Sequence, residues 1–350
     1  MRTLITGGAG FVGTNLAARL LREGREVLVL DSLARPGVEE NLRWLRDTFG
    51  PALSVEVGDV RDPVLVSKAV ARANAVFHFA AQVAVTTSLL HPLDDFEVNA
   101  RGTLNVLEAI RRRPCPPPLV FTSTNKVYGA LCDLAMRRSA RRYEPRDERA
   151  RTGVGEDRPL DFHSPYGCSK GAADQYVRDY ARTYGLPTTV FRMSCIYGPH
   201  QFGTEDQGWV AHFLIQALRG RPITLYGDGH QVRDILFVDD LVEAFLLALQ
   251  RMETATGQAF NIGGGPANAV SLLELLDLIG ELAGRRPRVI LDDWRPGDQK
   301  YYVSDTTRFE QATGWRPSTS VRSGLEQLAE WLGRERVLTG VREAAAGAGR

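Results

Sequence analysis

Short apolar runs alternate with stretches of helical spacing through the first half of the chain. "RTLITGG" reads as a strand running into a turn, and Phe11–Glu23 follows with Leu16, Leu20 and Leu21 at helical spacing. "EVLVLD" is a second buried strand that ends in Asp31. "LSVEVGDVRD" is a third, and a helix from Pro63 to Arg72 follows it. "AVFHFAAQ" and "PLVFTSTN" are further strands, separated by a helix around Ala100–Arg111. Strands that are apolar throughout, each followed by a helix, predict a parallel sheet covered on both faces. A long helix is predicted from Ser164 to about Tyr184, and "PTTVFRMSCIYGP" is a strand entering a loop.

Beyond residue 185 the pattern is shorter and mixed: "PITLYG", "DILFVDDLVEAFLLALQ", "AFNIGGG", "VSLLELLDLIGELAG", "RVILDD". This predicts a smaller mixed α/β lobe at the edge of the sheet. The expected division is 1–185 for the sheet domain, with a basic insertion at about 131–158. A second lobe then runs over 186–338, its chain partly interleaved with the first, and residues 339–350 form a frayed tail. The insertion carries seven arginines between Arg137 and Arg151 and little apolar pattern. It reads either as a solvated surface excursion or as a lid near a phosphate-bearing substrate.

Composition narrows the class. At 43% hydrophobic and 24% charged residues the chain can bury a sizeable core. A net charge of +1 gives no global attraction to nucleic acid or to an acidic membrane. The cysteines at 115, 132, 168 and 195 have no CxxC spacing, so inert thiols in a reducing compartment are expected, and no metal site. No apolar run is long enough for a membrane span, and the first residues do not read as a signal peptide. A cytoplasmic protein is expected.

Two local patterns carry chemistry. In "TGGAGFVG", Gly7, Gly10 and Gly13 lie between a strand and a helix, with Phe11 and Val12 in the helix's first turn. That arrangement allows a tight turn and brings a diphosphate onto backbone N–H groups. Asp31 ends the next strand, where a carboxylate accepts both hydroxyls of an adenosine ribose and repels a 2′-phosphate. The expected cofactor is therefore NAD. Asp59 and Val60 stand where the adenine should lie, and the small residues Ala80 and Ala81 where the cofactor backbone should pass. The second pattern is Thr124 at a strand end together with Tyr166 and Lys170, four apart on one helix face. A lysine ammonium beside a phenol lowers the phenol's pKa, so Tyr166 can take a proton from an alcohol while Thr124 holds the oxygen. His78 is expected to be a core histidine, and His163 a turn residue.

"TGGAGFVG", "GDVRD", "STNKVYG", "YGCSK" and "RMSCIYGP" together resemble the extended short-chain dehydrogenase/reductase family, in particular its nucleotide-sugar epimerases and dehydratases. The resemblance covers roughly residues 1–335. It implies a Rossmann-type doubly wound sheet with a C-terminal substrate lobe, and NAD held tightly and regenerated in each turnover. It also implies a nucleotide-diphosphate sugar as substrate and a homodimer or homotetramer built on the Asn99–Arg111 and Tyr166–Tyr184 helices. Ser32, Phe79 and Asn99 join the expected cofactor contacts. Dehydratases of the family carry an Asp-Glu pair after the catalytic Thr; Asn125 and Lys126 stand there in this chain. "LDSLARPGVEENLRWL", "AAQVAVTTS" and "HQVRD" are similar to the CDP-paratose 2-epimerase branch. This implies inversion at carbon 2 of a CDP-deoxyhexose, with Gln82, Thr86, Thr124 and Asn125 beside the sugar. Gln207, Arg233 and Arg295 are then expected at the nucleotide. Three alternatives stay open: a UDP-hexose 4-epimerase, a nucleotide-sugar dehydrogenase or reductase, and a catalytically silent NAD-binding sensor or scaffold.

Overall fold

The computed structural model describes residues 2–295 and 297–334; the expected tail at 339–350 lies outside them. Five strands open the fold: β1 (Arg2–Thr6), β2 (Glu26–Asp31), β3 (Leu53–Val57), β4 (Ala75–His78) and β5 (Leu119–Thr124). The strands Thr188–Met193 and Ala259–Ile262 complete a seven-stranded parallel sheet of order β3, β2, β1, β4, β5, Thr188–Met193, Ala259–Ile262. The order reverses direction between β1 and β4, which is where doubly wound sheets open a ligand crevice at their carboxyl ends.

Both faces are covered, as the continuous apolar strands require. Side chains alternate across the sheet, so Ile5, Val29 and Val120 pack with Leu16 and Leu20 of the Phe11–Arg22 helix. Leu4, Leu28 and Phe121 pack on the other face with Val70, Ile110 and Val177. The helix Val238–Gln250 belongs to this packing and not to the smaller lobe suggested by its place in the sequence. Phe245 stacks on Phe79 with centroids 4.9 Å apart and on Phe191 at 5.4 Å. Burying that aromatic face under the sheet outweighs the helix's continuity with the preceding strand.

The smaller lobe has its own apolar core beneath three helices, Trp209–Arg219, Leu272–Ala283 and Val321–Arg334. Its central strand, Val232–Phe237, pairs with Cys195–Tyr197, Ala269–Ser271 and Tyr301–Tyr302. A second, two-stranded parallel pair joins Ile223–Tyr226 to Val289–Asp292. The Leu272–Ala283 helix starts with a capping box, Ser271 and Glu274 satisfying each other's backbone N–H groups.

The arginine-rich insertion lies at the surface, with Arg137, Arg138, Arg146, Arg149 and Arg151 exposed, and is strapped to the smaller lobe by Arg141 and Arg142. It forms a short hairpin, Met136–Arg138 with Tyr143–Pro145. Arg142 grips Glu274 with two N–H···O bonds of 2.7 and 2.5 Å, and Arg141 pairs with Asp277. Both acidic partners lie on the Leu272–Ala283 helix, so Arg141 and Arg142 are drawn onto the smaller lobe by its charges.

The long helix Ser164–Tyr184 starts with Pro165 in its first turn and stops at Gly185 in the left-handed conformation. It is pinned to the sheet by a buried ion pair, Arg192 to Asp174, with contacts of 2.9 and 3.0 Å. Removing either partner would leave a bare buried charge, a loss of about 3–5 kcal/mol. All four cysteines are free thiols. No helix among the described residues is long and apolar enough to cross a membrane.

Candidate active site

The glycine turn joins β1 to the Phe11–Arg22 helix. Gly7 has φ +69°, and a Cβ there would sit 2.7 Å from the Ala80 backbone nitrogen. Only glycine lets the turn lie this close to the end of β4, where Phe79 and Ala80 donate to Thr6 at 3.0 and 3.3 Å. A Cβ on Gly13 would meet the Gly7 carbonyl oxygen at 2.4 Å, so helix and turn are equally close. Gly10 is the helix N-cap and places no side chain over it. The N–H groups of the first turn, at Phe11, Val12 and Gly13, are therefore uncovered by any cap. This is a cradle that a diphosphate fits.

Asp31 reaches back into that turn. Its carboxylate accepts from Ala9 N and Leu33 N, both at 2.9 Å. Burial pushes its pKa up, against the backbone N–H groups of Leu33, Ala9 and Gly10. The carboxylate keeps lone pairs for ribose hydroxyls and adds a negative charge beside the turn; Ser32 next to it is exposed. Asp59 is held by Arg61, which bonds both of its carboxylate oxygens, at 2.9 and 2.8 Å. Val60 is buried, its carbonyl accepting from Asn105 at 2.9 Å. These residues converge with Ala81 and the end of β4 along the carboxyl edge of the sheet. They fit a dinucleotide.

Thr124, Tyr166 and Lys170 come together at the end of β5. All three are buried. Thr124 and Tyr166 line one cleft, and the Thr124 hydroxyl lowers the pKa of the Tyr166 phenol. It also accepts from Lys126 N at 3.2 Å. The sequence reading expects Lys170 to draw the phenol's pKa down, and the structure differs. Burial pushes Tyr166 up to about 12; Thr124 opposes that and the Asp95 charge adds to it. Burial pulls Lys170 down to about 7 against Asp174 and Asp95. The physical reason is where the lysine ends. Its Nζ donates to the Thr122 carbonyl oxygen at 2.6 Å and lies 4.3 Å from the Phe121 ring centroid. Spacing along a helix sets the face, not the far end of a four-carbon chain.

A cleft of about 310 Å³ opens from this trio. Thr86, Asn125, Gln207, Arg233 and Arg295 line it with Thr124 and Tyr166. The Thr86 hydroxyl and the Gln207 side-chain oxygen are buried without a hydrogen-bond partner among the described residues. Both are set to meet polar groups of a ligand. Arg233 bonds Asp298 at 2.6 Å, and Lys126 approaches the same carboxylate at 3.7 Å. Burial would raise the Asp298 carboxyl, but Arg233 and Lys126 hold it below the usual range. Arg295 lies over the Tyr226 ring at 3.8 Å and pairs with Asp206 at 3.3 Å.

Two expected contacts turn elsewhere. Gln82 donates to Ala84 O and to Asp95 at 2.9 and 2.8 Å, and accepts from Ala84 N at 2.5 Å. Its amide is used up within the protein, and it does not line the cleft. Asn99 accepts from Gln82 N and donates to Gln82 O, Asp95 and Ser169. It braces the end of β4 against the long helix. His78 is a core residue between Thr6 and Thr103, at 2.6 and 3.0 Å, kept neutral by burial with a pKa near 3. His163 is half exposed beside Asp161.

Sequence reasoning missed Asp95, Lys126, Asp298 and Tyr226. Asp95 and Asn99 do stand four apart, a helical spacing that could have flagged the pair. Asp298 and Tyr226 reach the cleft only through the lobe's fold, and no local signal marks them.

Comparison with known proteins gives a consistent picture. The family model described as "NAD dependent epimerase/dehydratase family" matches residues 3–263. The chain is 42% identical to the CDP-paratose 2-epimerase of Salmonella typhi, over 95% of this chain and 99% of that one. Among solved structures it is similar to the Thermus thermophilus UDP-glucose 4-epimerase in complex with NAD, at TM-score 0.79 and 34% identity, covering 96% of this chain and 100% of that one. It is also similar to the Thermotoga maritima UDP-glucose 4-epimerase with UDP-glucose, at TM-score 0.80 and 30% identity, covering 95% and 99%.

Proposed function

The chain belongs to the NAD dependent epimerase/dehydratase family, and from that premise we propose that it is an epimerase inverting carbon 2 of a CDP-linked deoxyhexose. The observation that carries this reading is the pairing of Thr124 with Tyr166 at the head of a cleft whose next two residues are Asn125 and Lys126. They are not the Asp-Glu pair expected of the family's dehydratases at this place. The likeness to the Salmonella typhi CDP-paratose 2-epimerase over nearly the whole of both chains supports the choice of sugar and carbon.

When bound, the dinucleotide would supply the acceptor and the donor for hydride at the sugar carbon. The chain's residues do the rest. Thr124 holds the reacting oxygen by its hydroxyl. Tyr166 takes the hydroxyl proton as the ketone forms, and gives it back after the flat sugar has presented its other face. Lys170, one turn along, donates to the Thr122 carbonyl oxygen of the strand that carries Thr124. Arg233 and Arg295, from the smaller lobe, hold the diphosphate, and Thr86 meets a sugar hydroxyl. The glycine turn and Asp31 hold the dinucleotide. In this reading residues 1–185 chiefly bind the cofactor and the later lobe the nucleotide sugar.

We also infer that the enzyme works as a homodimer or homotetramer in the cytoplasm. Leu90, Leu93 and Phe96 are each more than half exposed, and Tyr176 and Tyr184 are exposed on the long helix against which the Val85–Leu90 and Pro92–Phe96 helices pack. A second copy of this surface would cover them. The free thiols suit a reducing compartment.

The deciding experiment incubates the purified protein with CDP-paratose, CDP-tyvelose, UDP-glucose and UDP-galactose in heavy water, without added NAD. Products are followed by NMR and mass spectrometry. Inversion at carbon 2 of the CDP sugars, with no deuterium at that carbon, is expected. Inversion at carbon 4 of a UDP sugar instead would transfer the protein to the 4-epimerases.

A further inference from the structure

Positive charge is in surplus at the end of the cleft where Thr124 stands. Lys126, two residues on, lines the cleft with Thr124, Tyr166, Arg233 and Asp298. Its backbone N–H donates to the Thr124 hydroxyl at 3.2 Å, which fixes the root of its side chain beside that residue. Its Nζ comes within 3.7 Å of Asp298 Oδ1, and the Arg233 guanidinium bonds the same oxygen at 2.6 Å. Two cations share one carboxylate. At Arg295 the balance is reversed. It pairs with Asp206 at 3.3 Å and donates to the Glu205 backbone oxygen at 3.2 Å, and both acidic residues line the cleft.

The Lys126 ammonium is also short of hydrogen bonds. Among the described residues it meets Asp298 and, at 3.4 Å, the Gly297 carbonyl oxygen. Both distances exceed the roughly 2.7–3.2 Å of an ordinary N–H···O bond. An ammonium carries three N–H donors, and this side chain keeps 25% of its surface exposed. The group that suits the place is an anion with several acceptor oxygens. A phosphate has both properties, and it would relieve the repulsion between two neighbouring cations.

The place also suits the chemistry. Carbon 2 of a nucleotide sugar is bonded to the carbon that carries the diphosphate, whereas carbon 4 stands across the ring from it. A sugar seated with its carbon 2 oxygen on Thr124 and Tyr166 therefore brings its nearer phosphate to the same end of the cleft. We propose that Lys126 is a specificity-determining residue whose ammonium holds the sugar-side phosphate and so presents carbon 2, not carbon 4, to Tyr166. The proposal rests on the reading of this cleft as that of a carbon 2 epimerase. Arg233 and Arg295 then hold the diphosphate from the smaller lobe, and Lys126 meets it from the turn after β5.

Calorimetric titration of the holoenzyme with CDP and with CMP reads the site without turnover, because CMP lacks the second phosphate. In Lys126→Gln the gain in affinity from CMP to CDP should fall about ten- to hundredfold, the loss of a charged hydrogen bond, while CMP binds as before. The variant should fold, since Arg233 still neutralises Asp298. Lys126→Arg keeps the charge and should keep most of the gain. A gain unchanged in folded Lys126→Gln would overturn the proposal. Should that variant not fold, the parent serves. The chain has four lysines, and in carbon-13 lysine protein the Lys126 side-chain signal, assigned with Lys126→Arg, should move on saturation with CDP and stay with CMP. A signal unmoved by CDP would overturn the proposal equally. Turnover tests the choice of carbon: kcat/KM for inversion at carbon 2 should fall with the gain, and an unchanged kcat/KM beside a lost gain would overturn the specificity role. Failure of the underlying reading looks different. Inversion at carbon 4 by the parent would overturn that reading and the choice of carbon together, whereas inversion at carbon 2 with an unchanged gain would overturn only the role of Lys126.

Discussion

The Lys170 ammonium is bound to the Thr122 carbonyl oxygen at 2.6 Å, on the side of the helix base that faces β5. A buried lysine of this kind binds its proton less tightly when folded, near pH 7, than in the unfolded chain, at 10.5. Between those values the unfolded state holds more protons, so stability should rise with pH across the window, and the penalty should be complete below about pH 7. Lys170→Met removes the effect. The difference in unfolding free energy between parent and variant should change by up to about 1.4 kcal/mol per pH unit. Urea unfolding at three pH values between 7 and 10 measures it, and parallel curves would mean that Lys170 keeps an ordinary pKa.

Tyr166→Phe should reduce turnover by about 10²–10⁴-fold, the usual contribution of a positioned proton carrier. NAD should remain bound, since the glycine turn and Asp31 are untouched. Turnover and cofactor content are measured on the same preparation. Retained activity would remove the phenol from the chemistry.

Asp31→Ala should loosen the preference for NAD over NADP. The carboxylate is charged and within the cofactor's expected ribose site, and losing a charged hydrogen bond there is worth about 1.5–3 kcal/mol, roughly a ten- to hundredfold change. Fluorescence titration of the apoprotein with both dinucleotides reads the ratio. If discrimination is unaltered, Asp31 serves only to brace the turn through Ala9.

How much of this is visible before folding depends on sequence distance. The glycine turn and Asp31 lie within twenty-five residues of each other, and the shape of a strand, a turn and a helix follows from local rules. Tyr166 and Lys170 are one helical turn apart, so their shared face is legible as well. Gln82 is different: its inward turn depends on Asp95 and Ala84, and the polar residue alone reads equally well as a ligand contact. The Val238–Gln250 helix is legible as a helix, but its seat on the sheet comes from Phe245 meeting Phe79 and Phe191, each more than fifty residues away. Arg141 and Arg142 read as a solvated charge run because their acidic partners stand 136 and 132 residues further on.

The exposed apolar residues of the 85–96 region predict the assembly. Leu93 is 79% exposed and Leu90 76%, a cost in water that a second copy would relieve. Leu93→Glu should shift the protein toward monomer without lowering its thermal midpoint as a monomer. Light scattering after gel filtration measures the mass. A variant with the parent's mass would move the interface to another surface.

Arg142 separates a strap from a lid. Its guanidinium is held by Glu274 and by the Ala269 carbonyl oxygen at 3.1 Å, and none of the seven arginines between Arg137 and Arg151 lines the cleft. Arg142→Ala should therefore lower stability by on the order of 1 kcal/mol, the pair being about one-third exposed. Glu274 keeps its bond to Ser271 N, so the helix cap should survive. KM for the nucleotide sugar should stay within about twofold, because on this geometry no phosphate contact is lost and a lost charged hydrogen bond would exceed that. Thermal unfolding and initial rates on one preparation decide the matter. A tenfold rise in KM at unchanged stability would show that the insertion reaches the substrate, and the strap would have to open onto the cleft during turnover.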